Sequence, residues 1–153
     1  MKWLDMPPVW LVGFIAVAWA QAQYLSMGLG FGGAGTGAIA DLLGGVLVGG
    51  GIVLMLLAVV EMRKYRTTII PHNAPSSLVQ SGIFSRTRNP IYLGDALVLA
   101  GLILRFDTVL SLALVPIFVW VIERRFILPE EGRMRREFKA DFARYERKTR
   151  RWA

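Results

Sequence analysis

Apolar residues in this chain come in long uninterrupted runs, not at the period of a half-buried helix or strand. Residues 6–40 contain no charged side chain, and residues 42–60 form a second uncharged run. Each run supplies the roughly 20 residues a helix needs to cross a ~30 Å hydrocarbon core. Pro7-Pro8 suits a first helical turn, so the pattern predicts a first transmembrane helix over residues 9–24, with Trp10, Trp19 and Tyr24 as aromatics for its ends. A second helix is predicted over residues 39–60, where Gly45 and Gly49 share one face and allow close helix–helix contact. Residues 91–104, apolar except for Asp95, and residues 108–122 are shorter runs separated by Arg105-Phe106-Asp107. They predict a tilted helical hairpin, lengthened by residues 90–94 at one end and 123–126 at the other, with Pro116 bending its second arm. Past Pro129 the pattern changes: Met134, Phe138, Phe142 and Tyr145 recur at helical spacing among Arg and Lys. That describes an amphipathic helix at the membrane surface, with Glu130-Glu131 in its first turn, where carboxylates suit the helix dipole. The expected fold class is all-α integral membrane: four transmembrane helices plus a C-terminal amphipathic cytoplasmic helix. Residues 1–153 form a single membrane domain, with the two N-terminal helices in 1–66 and the loop, hairpin and C-terminal helix in 67–153.

The connections fix the orientation. Residues 26–37 are dense in glycine, but no Lys-Ser/Thr follows the glycines and no strand precedes them, so a phosphate-binding loop is not indicated. A flexible connection on the non-cytoplasmic side fits better. Glu61, Arg63, Lys64 and Arg66 close the second helix with a basic cluster, which places that end, and with it both termini, in the cytoplasm. Residues 67–88, polar and punctuated by Pro71 and Pro75, are longer than a mere connection needs, and such loops are often functional. The N-terminus, MKWLDMPPVW, has little basic charge and no small-residue cleavage site, and reads as the start of a retained helix.

Composition narrows the function classes. A mean hydropathy of +0.46 with 54% hydrophobic residues sets the chain apart from soluble domains. The net charge of +7 is concentrated: eleven of the eighteen Lys and Arg lie between Arg124 and Arg151. Beside membrane helices such a basic end points to anionic lipid as partner, not nucleic acid, for which no recognised module is present. The absence of cysteine excludes a disulfide framework, a thiol nucleophile and a Cys-ligated metal.

Little conventional catalytic chemistry is available. The single histidine, His72, makes no metal set with scattered carboxylates. A Ser-His-Asp hydrolase would need it together with Ser76, Ser77, Ser81 or Ser85, and no nucleophile-elbow pattern is present. What remains is a cytoplasmic rim. Arg88, Asn89, Tyr92 and Asp95 open one arm of the hairpin, and Glu123, Glu130 and Glu131 close the other. The hairpin brings these groups together into a half-polar pocket with its back to lipid. That pocket suits a polar, partly cationic cofactor from the cytoplasm and an apolar substrate from the bilayer. A plainer reading stands beside it: Glu130 and Glu131 cap a helix and pair with Arg124, Arg125, Arg133 or Arg135. Asp95 is open in the same way, between a functional intramembrane acid and a helix-start carboxylate.

These residues also carry a resemblance. Leu78-Val79, Gly82-Ile83-Phe84, Arg88-Asn89-Pro90-Ile91-Tyr92-Leu93-Gly94, Glu130-Glu131, and Phe138, Phe142, Tyr145 and Arg151-Trp152 follow one another in a particular order. It is similar to the C-terminal half of the isoprenylcysteine carboxyl methyltransferase and phospholipid N-methyltransferase superfamily, and covers roughly residues 67–152. The resemblance implies an integral-membrane methyltransferase using S-adenosyl-L-methionine (AdoMet) on a lipophilic acceptor, a lipid amine or the carboxylate of an amphiphile. It implies that Arg88, Glu130 and Glu131 serve catalysis. Gly82, Asn89, Pro90, Tyr92, Leu93, Gly94 and Tyr145, again with Glu130 and Glu131, are implied to hold the cofactor. No metal is implied. Methyl transfer from a sulfonium needs alignment and shielding from water more than acid–base groups, which suits a site without Cys or His. Asn89 stands where isoprenylcysteine carboxyl methyltransferases typically carry His, and in this the chain looks more like the phospholipid branch. Two rivals stand: a membrane reductase of the sterol-reductase type using a nicotinamide cofactor, and a non-catalytic membrane scaffold.

Overall fold

The computed structural model describes residues 5–25, 30–31, 36–67 and 77–153, and among them every regular element is helical. Helix α1 (Pro7–Tyr24) is followed by α2 (Thr36–Lys64), a 3₁₀ turn (Gly82–Ser85) and α3 (Pro90–Arg105). A second 3₁₀ turn (Leu110–Ala113), α4 (Leu114–Ile122), a π turn (Glu123–Ile127) and α5 (Leu128–Lys148) complete the order. His72, Ser76, Pro71 and Pro75 lie outside the described residues.

Helix α3 is the centre of the bundle, and it presents two different faces. Tyr92, Ala96, Leu99 and Ile103 recur at the four-then-three spacing of one helix face. They are buried with Ala18 of α1 and with Phe118, Ile122, Phe126 and Ile127. Phe14 and Phe118 meet edge to face at 5.3 Å within this core. The other face of α3 is nearly flat. Gly94 and Gly101 oppose Gly51 and Gly44 of α2, so closely that a Cβ on Gly44 would stand 2.6 Å from the Gly101 carbonyl oxygen, and one on Gly51 the same distance from that of Gly94. The pairs run 44 with 101 and 51 with 94, which makes the two helices antiparallel. Seven residues separate the glycines on each helix, about two turns, so both contacts fall on one seam. The sequence pointed to Gly45 and Gly49 for this role. The structure corrects that: a Cβ on Gly49 would meet nothing, and one on Gly45 only the end of Arg105 at 3.9 Å.

The two turns at one end of the bundle are tied together. The Phe31 N–H donates to Asp107 Oδ1 at 2.6 Å, and Ser111 Oγ donates to Gln21 Oε1 at 2.7 Å. The opposite end gathers the start of α1, the end of α2, the start of α3 and all of α5. Leu42, Val46, Val53, Leu56 and Val60 leave the outside of α2 apolar and exposed. Among the described residues one helix, Gly37–Lys64, is by itself long and apolar enough to cross a membrane. Helix α3 has 16 residues and α4 nine, and α1 carries Gln21 and Gln23 near its end. Four complete spans are therefore not established by helix length.

The backbone does not break at Pro129, as the sequence suggested. The residues joining the second 3₁₀ turn, α4, the π turn and α5 all keep right-handed helical dihedrals. Glu130 and Glu131 fall in the first turn of α5, as expected, but the π turn before it is already helical, so they cap no free helix end. A substitution pair tests the glycine seam. Gly51→Ala should lower stability by about 1–3 kcal/mol through overpacking, whereas Gly49→Ala should be neutral or mildly stabilising. Thermal unfolding of both variants in one detergent checks this; equal midpoints would contradict the seam.

Candidate functional site

The polar end is built around a carboxylate. The Glu131 side chain is only 4% exposed, yet three guanidinium groups reach it. Arg88 Nη2 lies 3.0 Å from Oε1, Arg151 donates from Nε at 3.0 Å and from Nη2 at 2.8 Å, and Arg135 Nη2 is 3.4 Å away. Arg151 also donates from Nη1 to Glu123 at 2.8 Å, and the Trp152 indole N–H donates to the other Glu123 oxygen at 2.9 Å. Glu146 accepts from Arg135 at 2.5 Å and lies 3.4 Å from Arg88. Three carboxylates thus face three guanidiniums, with no net charge. Arg88 and Glu131 are buried and the other four partly exposed, and the buried pair survives desolvation because each member is paired and hydrogen-bonded.

Two backbone irregularities make the cluster possible. On a regular α-helix, Glu123 and Glu131, eight residues apart, would project about 80° from one another. The π turn between them holds one additional residue per turn, which takes back roughly 100° and brings both to nearly the same face. Its signature is the Leu128 N–H bonded to the Glu123 carbonyl, five residues back. Pro129, which has no N–H to give, stands just beyond it. The second irregularity is at Lys139, whose backbone (φ 42°, ψ −113°) leaves the helix inside α5. Eleven residues of straight helix would span about 16 Å, yet Arg135 meets Glu146 directly. The amphipathic helix expected from sequence is therefore folded back on itself, and Arg135 stacks over Phe142 at 5.9 Å.

The fold-back delivers the C-terminal residues to the start of α3. Thr87 and Arg150 form a parallel bridge, with the Arg88 N–H donating to the Arg150 carbonyl at 3.0 Å. The Asn89 side-chain amide donates to the Arg151 carbonyl at 2.9 Å. Asn89 stands at the N-cap of α3 but makes no side-chain cap there; its donor holds the tail. On the other side, Glu61 at the end of α2 is buried. It accepts from Ser81 Oγ at 2.6 Å and from Lys64 Nζ at 2.8 Å. Gly82 has φ +57°, and a Cβ there would lie 2.8 Å from the Glu61 carboxyl carbon, so glycine is required on both counts.

A cavity of about 420 Å³ opens between these parts. Its lining includes the polar side chains of Thr67, Arg88, Tyr92, Asp95 and Glu130 and the apolar ones of Met55, Met62, Phe84, Ile91 and Met134. The Tyr92 hydroxyl donates to Glu130 Oε1 at 2.8 Å, and the Tyr145 hydroxyl donates to the Phe84 carbonyl at 2.6 Å. Burial raises the Tyr145 phenol above its ordinary range, so it stays a donor at any working pH. Two buried polar atoms of this lining, Arg88 Nε and Thr67 Oγ1, have no hydrogen-bond partner among the described residues. Such atoms normally find one in protein or ligand.

Of the residues singled out from sequence, Arg88, Asn89, Pro90, Tyr92, Glu130, Glu131 and Tyr145 all line the cavity. Gly82, Leu93 and Gly94 do not. Gly82 belongs to the Glu61 contact and Gly94 to the seam with α2. Glu131 touches the cavity but directs both oxygens to arginines. Sequence reasoning missed Glu61, Glu146 and Thr67 as members of the site. Only Glu61, an acid among bases at a helix end, carried any signal. A tryptophan in a basic tail was the sign that residues 151–152 pack inward.

Glu131→Gln keeps the shape and removes the charge that Arg88 and Arg151 share. It should cost about 3–5 kcal/mol, whereas Glu137→Gln at an exposed position should stay within about 0.5 kcal/mol; denaturant unfolding separates the two. The Arg135 guanidinium holds the Glu146 carboxyl below its ordinary value of 4.5. A carboxyl lowered in the folded state adds stability that is fully present above that value and is lost as pH falls through the folded one. Glu146→Gln should therefore flatten the acid limb of stability below pH 4.5; an unchanged limb would contradict the pairing.

Comparison with known proteins bears on this arrangement directly. No curated protein matches the chain, and no solved structure does. Residues 39–141 match the family model for phospholipid methyltransferase, a stretch that runs from the start of α2 to the kinked part of α5 and contains the seam, Glu131 and most of the cavity's lining. With two thirds of its length so matched, and with the arginine, tyrosine and paired glutamates of the motif assembled around one cavity, the chain belongs to the phospholipid methyltransferase family.

Proposed function

We propose that the protein is an integral-membrane methyltransferase that takes its methyl group from AdoMet at the polar end of this cavity and gives it to a lipophilic acceptor. The observation that carries the reading is a single cavity lined both by polar side chains, Thr67, Arg88, Tyr92 and Glu130, and by apolar ones, Met55, Met62, Ile91 and Met134. Its volume falls within the range of roughly 300–1,000 Å³ usual for small-molecule sites. The donor set fits the cofactor. AdoMet has a carboxylate, an ammonium, ribose hydroxyls, a sulfonium and an aromatic base. Arg88 Nε and Thr67 Oγ1, both lacking a partner among the described residues, suit the carboxylate. Glu130 suits the ammonium or ribose, and Phe84, Phe142 and Tyr145 offer ring faces to the base and the cation. Bound there, AdoMet supplies a methyl group activated by the positive sulfur.

The chain's own contribution is alignment and exclusion of water. Arg88 is fixed by Glu131 and by the Glu146 side chain and carbonyl, so its remaining N–H is held in place. Tyr92 and Glu130 brace one another across α3 and α5. The tail is latched through Asn89 and Arg151, and in this reading it lies on the cytoplasmic side. The methionines among the lining, Met55, Met62 and Met134, are flexible and apolar, a surface suited to acyl chains of varied shape. In this reading the exposed apolar sides of the helices face lipid, both termini are cytoplasmic, and the exposed Arg144, Arg147 and Lys148 meet anionic lipid.

Calorimetric titration of the detergent-purified protein tests the cofactor. AdoMet should bind saturably and NADPH should not. Glu130→Gln should weaken AdoMet at least about tenfold, or 1.4 kcal/mol. Binding of NADPH in place of AdoMet would move the protein to the reductase class and overturn the proposal.

A further inference from the structure

The cavity has a rim, and one residue marks it. Of the described residues that line it, Pro8 alone is exposed. Pro8 stands with Met6 and Pro7 at the start of α1, outside the stretch that matches the family model. A volume of about 420 Å³ suits one small molecule. A long hydrocarbon chain cannot lie wholly inside it beside a cofactor, so most of such a chain has to cross the rim.

The first turn of α1 is built to border hydrocarbon. A helix start ordinarily presents unpaired N–H groups, which call for water, a cap or an anion. Here Pro7 and Pro8 have no N–H, and those of Val9 and Trp10 donate to the Met6 carbonyl at 3.0 and 3.3 Å. From Pro7 to Trp10 the turn therefore offers a passing chain no donor that it would leave unsatisfied. The surface stays apolar beyond the rim. Val12 and Trp19 follow Pro8 on one helix face, and they are 64% and 50% exposed.

One side chain fastens this turn at both ends. Asp5 Oδ1 accepts from Arg125 Nε at 2.6 Å and from the Trp10 indole N–H at 3.3 Å, and the Arg125 guanidinium lies 5.3 Å from the centre of the Trp10 ring. Asp5 and Trp10 bracket residues 6–9, while Arg125 belongs to the π turn. Arg125 is not among the residues that line the cavity. Its reach into the site is through the turn it holds.

We propose that the first turn of α1 is the lip over which a single hydrocarbon chain of the acceptor enters from the bilayer, and that Arg125 is a positioning residue that sets the width of this entry through Asp5 and Trp10. The inference rests on the methyltransferase reading above only in taking the chain to be part of an acceptor. Two successive prolines, each with its φ fixed by the ring, make the lip rigid. A rigid lip held at both ends admits an unbranched chain and rejects a methyl-branched one.

The chain has no native cysteine, so single cysteines can be placed without background. The probes are two phosphatidylcholines in nanodiscs, each with a diazirine near the end of one acyl chain, straight in one and methyl-branched in the other. No AdoMet is added, and crosslinks are mapped by mass spectrometry. The straight probe should label Met55 and Met62 in the cavity, besides Leu42 and Val46 on the exposed face of α2. Pro8→Cys should keep that pattern. Its reaction with a bulky maleimide should cut labelling of Met55 and Met62 at least tenfold and leave Leu42 unchanged, whereas the same block at Val46→Cys should spare the cavity. In the wild type the straight probe should exceed the branched one in the cavity by about tenfold, the usual discrimination over one methyl group in a fitted apolar site. Asp5→Ala and Arg125→Gln should lose most of that preference, and Asp5→Glu, which keeps the carboxylate, should retain it. Cavity labelling that survives the block at Pro8→Cys, or that is missing in the wild type, would overturn the route. Equal labelling by both probes in the wild type, or an unchanged preference in folded Asp5→Ala and Arg125→Gln, would overturn the role of Arg125. If Pro8→Cys does not fold, the adjoining exposed Val9 takes the cysteine and the same outcomes decide. Failure of the wild type to bind AdoMet is a separate result: it strikes the methyltransferase reading and leaves the crosslinking outcome to judge the route.

Discussion

Everything at the functional end hangs on the Glu131 carboxylate. Arg88 arrives from the start of α3, Arg135 from the next turn of α5, and Arg151 from the tail, and among the described residues no other carboxylate contacts all three. The desolvation penalty of an isolated buried charge makes partial assembly unfavourable, since removing any one partner leaves the others exposed to it. The site thus closes as a unit. That constraint explains why the chain tolerates two departures from regular helix nearby. The π turn aligns Glu123 with Glu131, and the break at Lys139 brings the tail back to them.

The seam of α2 and α3 does for the apolar half what the cluster does for the polar half. Reciprocal glycines let two backbones touch, which fixes α3 along its length and sets the direction of Tyr92 on its opposite side. Gly94 links the two systems. It lies inside the motif that forms the cavity, between Tyr92 and Asp95, yet its contact is with Gly51. A residue that sequence reasoning assigns to a pocket here serves the pocket from behind, by seating the helix that carries it.

Much of this was legible in the sequence, and the limits have physical causes. The helical runs, the turn at residues 105–107 and the meeting of Arg88 with Glu131 followed from hydropathy and hairpin geometry, because both are local or nearly so. The glycine seam was expected at Gly45 and Gly49 and lies at Gly44 and Gly51: five glycines between 44 and 51 offer several faces, and only the partner helix selects one. The break at Lys139 was invisible, since lysine favours helix and the strain is sustained by distant ion pairs. Glu130-Glu131 looked like a helix start because Pro129 precedes them. The π turn, whose hydrogen bonds skip one residue further, lets the helix pass the proline instead.

The central claim is that one cavity joins a polar cofactor from the cytoplasm to an acceptor from the bilayer. Its most direct test is transfer of label from methyl-tritiated AdoMet by the protein in lipid nanodiscs, followed by partition between organic and aqueous phases. The account predicts label in the organic phase, on lipid, in proportion to the protein supplied. Label that remains entirely aqueous with folded protein, whichever phospholipid forms the disc, would contradict it.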